Sequence, residues 1–294
     1  MKGPPTETVE GGQWRRKADP LVGAVLQRRF RVEALLAEGG LAAVYRAVDR
    51  RRPEAPVVVK VLLSLYADLP EARRCFRWGA DLTRRFGAAV GAPLRGEGQT
   101  RGRPWVALDL LPGESLKERM RRGLLPTADA VAILDGLLDR VAVLHAAGIV
   151  HRDLKPAHVQ LTGDGVRLLD LDAACPAGEA RAPGAHLPFG SPAWTAPEAW
   201  ADDALADPRG DLYSIGVMAF ELLVGRRPFV GDPMEVLAAH AEQPVPSPRS
   251  LGAALSPELE AWLMRSVEKD PARRFPSAEA MRAALDAAAR GGAR

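Results

Sequence analysis

The sequence predicts an α+β fold in two parts, a small β-rich part followed by a larger helical part. Short apolar runs of the kind that form strands dominate up to Leu111, and helical periodicity dominates after Pro112-Gly113. The 294 residues are enough for one large domain or two lobes around a sizeable core. We therefore expect an N-lobe near residues 28–110, a C-lobe near residues 111–288, and a cleft between them.

The strand predictions of the first part rest on short apolar segments. Residues 57–62 are a continuous apolar run interrupted only by Lys60, and residues 105–111 form a second run. The segment Glu38-Gly39-Gly40 separates two further β-like runs, 31–36 and 43–46. Residues 70–86, between these runs, read as a helix.

The second part carries helical signals. A helix is predicted from Thr127, as its cap, to Gly148, its end, because apolar residues recur at three- and four-residue spacing: Val131, Leu134, Leu138, Val141 and Leu144. Residues 211–224 are apolar nearly all round, which predicts a buried helix that ends at Gly225. Ser256 and Ser277 are expected to cap two later helices.

The distribution of charge along the chain bears on the kind of partner that the protein can bind. The formal net charge is +3. Residues 1–29 hold six basic and three acidic side chains, so this excess lies entirely in the N-terminal segment. The neutral remainder argues against a nucleic-acid partner. Residues 1–27 are expected to be a flexible basic arm and residues 289–294 a tail.

The setting predicted by the sequence is the cytoplasm. No run reaches the roughly 18–20 apolar residues of a membrane span. The first residues lack the apolar core of a signal peptide. Cys75 and Cys175 have no metal-type spacing, and two distant cysteines fit a reducing compartment.

Four segments occur in an order that indicates chemistry. They are residues 151–156 (His-Arg-Asp-Leu-Lys-Pro), an apolar run that ends at Asp170, residues 190–198 (Gly-Ser-Pro-Ala-Trp-Thr-Ala-Pro-Glu), and residues 211–216. In order and spacing they resemble the catalytic loop, metal-binding aspartate, substrate-docking segment and central helix of bacterial serine/threonine protein kinases. The resemblance covers roughly residues 28–288 and implies a two-lobed kinase fold.

The resemblance implies a role for each acid and base of these segments. Asp153 would orient the substrate hydroxyl and accept its proton, and Lys155 would offset charge on the transferring phosphate. Asp170 would hold Mg²⁺ through oxygen ligands. Ser191 and Thr195 would dock a protein substrate.

It also implies an ATP site. Lys60 would reach the ATP phosphates, which Gly39 and Gly40 would help to cover, with Val44 at the valine position of that loop. The adenine would bind the backbone of Asp109 and Leu111, beside Leu108. Two further residues are expected to be structural: Glu198 should pair with Arg274, and Asp211 should brace the backbone of the catalytic loop.

Several positions depart from the kinase pattern. The loop that covers the phosphates has alanine at 37 and 42 where glycine is expected, which should weaken its close approach to phosphate. The helix after Lys60 has Gly79 where a glutamate should pair with that lysine; nearby Asp81 should face elsewhere. His158 replaces the asparagine of the second metal site, and Asp172 replaces the glycine of Asp-Phe-Gly.

These departures lead to two hypotheses and leave the function open. His158 suits a softer metal than Mg²⁺, so Mn²⁺ is a possible cofactor beside Mg²⁺. Asp172 is hypothesised to pair with Lys60 in the nucleotide-free protein and to release it when ATP arrives. The function implied is ATP-dependent phosphorylation of serine or threonine on proteins. The alternatives are a pseudokinase that senses nucleotide or acts as a scaffold, and a small-molecule kinase.

Activation by phosphorylation of the segment after Asp170 is not expected. Residues 171–190 contain no Ser, Thr or Tyr. The usual switch, in which a phosphate on this segment binds the loop arginine, here Arg152, is therefore not available within it.

Overall fold

The computed structural model describes residues 9–10, 13–14, 21–180, 191–200 and 204–291. The chain divides into two compact units. The first is Met1–Ala67 with Arg95–Leu110, and the second is Asp68–Leu94 with Leu111–Arg294. The predicted flexible arm falls mostly outside the described residues, and so do residues 292–294 of the predicted tail.

The first unit is built on a β-sheet. Its strands are β1 (Val9–Glu10), β2 (Gln13–Trp14), β3 (Val25–Leu26), β4 (Phe30–Glu38), β5 (Ala42–Asp49), β6 (Pro56–Leu62), β7 (Leu94–Thr100) and β8 (Arg103–Asp109). Strands β1 and β2 pair with each other, and the other six form one sheet in the order β3-β4-β5-β6-β8-β7. The strands expected near residues 57–62 and 105–111 are thus confirmed as β6 and β8.

One face of this sheet carries the core of the first unit. Side chains alternate along a strand, so Val59 and Val61 of β6 are fully buried and Lys60 emerges on the opposite face, half-buried. Its cross-strand neighbours there are Val44 and Val106. The ordered sheet begins before residue 28, since Leu21 is fully buried in this core and β3 pairs with the start of β4.

The second unit is mainly helical. Its helices are α1 (Pro70–Val90), α2 (Leu116–Met120), α3 (Thr127–Ala146), α4 (Pro208–Val224), α5 (Pro233–Glu242), α6 (Pro257–Ser266) and α7 (Ala278–Gly291). Its core includes residues of α3 and α4. Every residue of α4 from Asp211 to Phe220 is buried, which explains why the sequence of this helix is apolar nearly all round. The helices predicted over 70–86, from 127 and over 211–224 are confirmed.

The residues at the helix ends have the conformations and side chains that favour a helix terminus. Gly148 and Gly225 adopt the left-handed conformation, with φ of 72° and 86°, where α3 and α4 end, as predicted. Ser256 caps α6 by accepting a hydrogen bond from the Leu259 backbone N–H at 3.2 Å. The expectation for Thr127 is wrong in one detail: Pro126 occupies the cap position, and Thr127 is the first helical residue.

Short strands of the second unit position its polar loops. These strands are β9 (Glu114–Ser115), β10 (Ile149–Val150), β11 (Val159–Thr162), β12 (Gly165–Leu168) and β13 (Cys175–Pro176). Residues 151–158 run from β10 to β11, and β12 leads directly into the segment with Asp170. Among the helices of the described residues, none combines the length and apolar character needed to cross a membrane.

Candidate active site

The acid and base of the loop after β10 lie in direct contact with a serine of the docking segment. The Nζ of Lys155 donates to Oδ2 of Asp153 at 2.7 Å and to Oγ of Ser191 at 3.0 Å. The Ser191 hydroxyl donates to the other carboxylate oxygen of Asp153 at 3.2 Å. The Asp153 carboxylate is therefore placed to accept hydrogen bonds from a hydroxyl and an ammonium group together.

A buried aspartate braces this loop by accepting hydrogen bonds from its backbone. Asp211, in the first turn of α4, accepts the backbone N–H of His151 at 2.8 Å and that of Arg152 at 2.9 Å. It is 1% exposed. The brace predicted from the sequence is confirmed. It holds Arg152 in the left-handed region, with φ of 68°, which is unfavourable for a residue with a Cβ.

A histidine completes the surroundings of Asp211. The Nε2 of His145, on α3, lies 2.9 Å from Oδ2 of Asp211. Burial alone would raise the pKa of Asp211, but the hydrogen bond and charge of His145, with the hydrogen bond from His151, lower it on balance. The sequence analysis assigned no role to His145 and missed this contact.

The segment that carries Asp170 approaches the same loop through His158. The Nδ1 of His158 lies 2.9 Å from the backbone oxygen of Asp153, and its Nε2 lies 3.6 Å from Oδ2 of Asp170. Burial lowers the pKa of His158, which favours the neutral ring. Asp170 itself adopts a φ of 65° and accepts the backbone N–H of Asp172 at 3.3 Å.

Asp170 and His158 together offer only a small set of donors for a metal ion. A neutral ring that donates from Nδ1 to a carbonyl presents the lone pair of Nε2, here toward the carboxylate of Asp170. Within the described ranges, no group of three or more His, Cys, Asp or Glu side chains is arranged to hold a metal ion. A metal ion held by Asp170 and His158 would therefore need further ligands from outside this pair.

The docking segment is fixed by two buried side chains. Arg274 is fully buried and binds both carboxylate oxygens of Glu198, at 2.6 and 2.8 Å, which confirms the predicted pair. Within the segment, Thr195 donates its hydroxyl to the Ser191 backbone oxygen at 3.0 Å. Thr195 therefore supports the turn that presents Ser191.

The second anchor of the docking segment, His240 on α5, was missed by the sequence analysis. Its Nδ1 lies 2.7 Å from the hydroxyl of Tyr213 on α4, and its Nε2 lies 3.3 Å from the backbone oxygen of Ala193. The side chain is fully buried. Burial lowers the pKa of His240 to about 4, so the ring is neutral near pH 7.

Arg152 has partners within the protein. Its Nη1 donates to the backbone oxygen of Ala180 at 3.1 Å and approaches Sγ of Cys175 at 3.6 Å. The segment 171–190 contains no Ser, Thr or Tyr, and its residues 181–190 fall outside the described part of the chain. The guanidinium is thus held by groups that require no modification.

The remaining predicted site residues, apart from Leu111, lie in the first unit. Gly39 and Gly40 are at the exposed turn between β4 and β5, where the Gly39 N–H donates to the Ala42 oxygen at 2.9 Å. Asp109 ends β8, and its carboxylate binds the guanidinium of Arg95 at 2.5 and 2.6 Å. Leu111 is the first residue of the second unit after β8.

Comparison with known proteins identifies the family. A family model described as "Protein kinase domain" matches residues 30–285. The chain belongs to the protein kinase family. Serine/threonine-protein kinase PknL of Mycobacterium tuberculosis is 33% identical over 274 residues, covering 92% of this chain and 68% of PknL. PknA of the same species is 33% identical over 270 residues, covering 88% of this chain and 61% of PknA.

A solved structure agrees with the family assignment. The crystal structure of the PknI kinase domain of Mycobacterium tuberculosis, in a variant form, superimposes with a TM-score of 0.69 at 25% identity. The match covers 91% of this chain and 98% of the PknI chain. The predicted kinase fold, with a β-rich part and a helical part, is confirmed.

Proposed function

We propose that this protein transfers the γ-phosphate of ATP to serine or threonine hydroxyls of protein substrates. The observation that carries the proposal is the contact of Asp153 with a serine hydroxyl and with Lys155, at 3.2 and 2.7 Å. Phosphoryl transfer depends on positioning and on charge compensation, and this arrangement offers both. The same geometry favours an enzyme over a pseudokinase scaffold.

Each residue of the catalytic loop would have a distinct task. Asp153 would orient the attacking hydroxyl and accept its proton as the bond to phosphorus forms. Lys155, already bonded to Asp153 and Ser191, would stabilise negative charge on the transferring group. Ser191 and Thr195 would keep the docking segment beside the carboxylate.

The nucleotide would be held mainly by residues of the first unit. Lys60 would bind its phosphates as a point charge, and the turn at Gly39 and Gly40 would offer backbone N–H groups to them. Val44 would pack against the base. The backbone of Asp109 and Leu111 would form the hydrogen bonds to adenine, as the resemblance implies.

A divalent metal ion, when bound, would neutralise phosphate charge, and Asp170 with His158 would hold it. An imidazole ligand favours Mn²⁺ over Mg²⁺, because Mg²⁺ prefers oxygen ligands. We expect ATP to bind more tightly with Mn²⁺ than with Mg²⁺, and His158→Asn to remove this difference. Titration of a fluorescent ATP analogue with each metal measures it. Equal affinities with both metals in the wild type would contradict the role of His158.

The reaction is proposed to take place in the cytoplasm on a protein acceptor. Cys75 and Cys175 are both free and buried, as expected of a protein from a reducing compartment. The segment with Glu198 is the one that docks peptides in the family, which favours a protein over a small-molecule acceptor.

The test is to identify the residue that receives the phosphate. The purified protein is incubated with γ-labelled ATP, Mn²⁺ or Mg²⁺, and unstructured acceptor peptides that contain only Ser, only Thr or only Tyr. We expect label on the Ser or Thr peptides and none on the Tyr peptides. Label on none of them with either metal would contradict the proposed function.

A further inference from the structure

Helix α1 lies very close to the segment that follows Asp170. A Cβ atom at Gly79 would meet Oδ1 of Asp172 at 2.6 Å, its Cα at 3.0 Å and its Cγ at 3.4 Å. One residue earlier, Nε1 of Trp78 donates to the backbone oxygen of Ala174 at 2.7 Å. The helix and the segment 172–174 therefore touch through a glycine and a hydrogen-bonded tryptophan.

A side chain at position 79 would have to displace the carboxylate of Asp172. The distance of 2.6 Å to Oδ1 is one that real Cβ atoms essentially never show, and the distances of 3.0 and 3.4 Å to Cα and Cγ are tight. The contact with the Cα of Asp172 at 3.0 Å would need a shift of only a few tenths of an ångström, so the carboxylate is the main obstacle to a side chain at 79. Glycine is otherwise unfavourable inside a helix, so its presence here needs the packing reason that Asp172 supplies.

The two residues of this contact are those at which the chain departs from the family pattern. Protein kinases carry a glutamate on this helix, which pairs with the strand lysine, and a glycine two residues after the metal-binding aspartate. Here the helix has the glycine and the segment has the acid. The carboxylate of Asp172 lies where the side chain of a glutamate at 79 would leave the helix.

The neighbouring helix positions agree with a carboxylate at this place. Cys75 lies one turn before Gly79 on the same face of α1. Burial raises the pKa of Cys75, and the charge of Asp172 raises it further. Asp81, the nearest acid of the helix itself, is exposed and forms an ion pair with Arg84, so it does not replace the missing glutamate.

We propose that Gly79 and Asp172 are an exchanged pair, in which Asp172 is a positioning residue that supplies the carboxylate protein kinases ordinarily carry on this helix. The inference rests on the proposed function, because the task of that carboxylate is to orient the ATP-binding lysine, here Lys60 by resemblance. It differs from the release hypothesis of the sequence analysis: a carboxylate packed against the helix is expected to assist ATP binding instead of yielding to ATP.

The test is a double-mutant cycle of wild type, Gly79→Glu, Asp172→Gly and the double variant. Each protein is measured for affinity toward a non-hydrolysable ATP analogue, for KM of ATP and kcat, and for thermal unfolding. We expect each single variant to bind the analogue about tenfold more weakly, and the double variant to return to within about threefold of the wild type. Asp81→Asn, which removes an exposed acid of the same helix, is the matched control and should bind as the wild type does.

A second pair of variants, Gly79→Ala with and without Asp172→Gly, separates the effect of a steric clash from the effect of losing the carboxylate. Gly79→Ala introduces only the Cβ atom that would meet Asp172, so it should lower the unfolding temperature, and Asp172→Gly in the same chain should restore it. Affinity is measured without turnover, so the cycle can be interpreted even if no acceptor is phosphorylated. Two results would overturn the proposal. One is a double variant, Gly79→Glu with Asp172→Gly, whose loss of affinity equals the product of the two single losses. The other is tighter ATP binding by Asp172→Gly alone.

Discussion

The catalytic loop, residues 151–158, and the phosphate-covering hairpin, residues 37–44, are supported very differently. The catalytic loop rests on the buried carboxylate of Asp211, which accepts two of its backbone N–H groups. Strand β4 has register shifts before it enters the hairpin, between Val32 and Ala34 and between Leu35 and Ala37, and the tip of the hairpin, residues 38–40, is exposed. At the turn itself, the Gly39 N–H bonds to the Ala42 oxygen.

The two segments also differ in how closely their sequences follow the kinase motifs. The loop keeps the family's aspartate and lysine at 153 and 155, whereas the hairpin has lost two of its glycines. A buried network tolerates little change, since each lost hydrogen bond leaves a desolvated group, and an exposed hairpin tolerates more. The loop with buried support therefore keeps the family's residues, and the hairpin with an exposed tip departs from them.

The largest effect is expected when the support of the docking segment is removed. Glu198→Ala leaves the guanidinium of Arg274 buried without its carboxylate, which should lower the free energy of unfolding by about 3 kcal/mol. Denaturant unfolding measures this loss. Arg273→Ala is the control: its pair with Glu268 is exposed, so its removal should change stability by at most about 1 kcal/mol. Equal losses in the two variants would show that the segment is not braced by Arg274.

A second effect should appear as pH falls. The folded-state pKa of His240 is about 4, below its ordinary value of 6.5, so the unfolded chain binds a proton first on acidification. Stability from the neutral ring is complete above pH 6.5 and is lost as the pH falls toward 4. The loss should reach about 3 kcal/mol relative to His240→Gln, which has no titrating ring. If the free energies of unfolding of the wild type and His240→Gln changed in parallel between pH 7 and pH 4, the lowered pKa of His240 would be contradicted.

The smallest effect is expected in the hairpin. Restoring glycine at positions 37 and 42 should strengthen ATP binding by only about threefold, because Ala37 is paired with Val44 and Ala42 with Leu62, and Ala42 is 3% exposed. Titration with an ATP analogue measures the change. Ala34→Gly, an exposed position of β4 outside the hairpin, controls for the loss of strand stability. A gain of more than about tenfold would contradict this expectation and mean that the two alanines of the hairpin limit ATP binding.

The sequence predicted those features that belong to a recurring motif. The pairing of Glu198 with Arg274 and the brace by Asp211 follow from motif positions, and the structure confirms both. The roles of His145 and His240 could not be predicted, because each depends on a contact between helices that are distant in the chain. The close approach of Gly79 and Asp172 belongs to the same class: two departures 93 positions apart become related only when the chain has folded.

The central claim, that an intact catalytic loop performs phosphoryl transfer, is tested most directly with Asp153→Asn. Transfer from γ-labelled ATP and affinity for an ATP analogue are measured in parallel for this variant and the wild type. The account predicts transfer by the wild type, a loss of about 10²- to 10⁴-fold in the variant, and nucleotide affinities within about twofold of each other. Transfer that persists in the variant, or its absence from the wild type at saturating ATP with both metals, would contradict the claim.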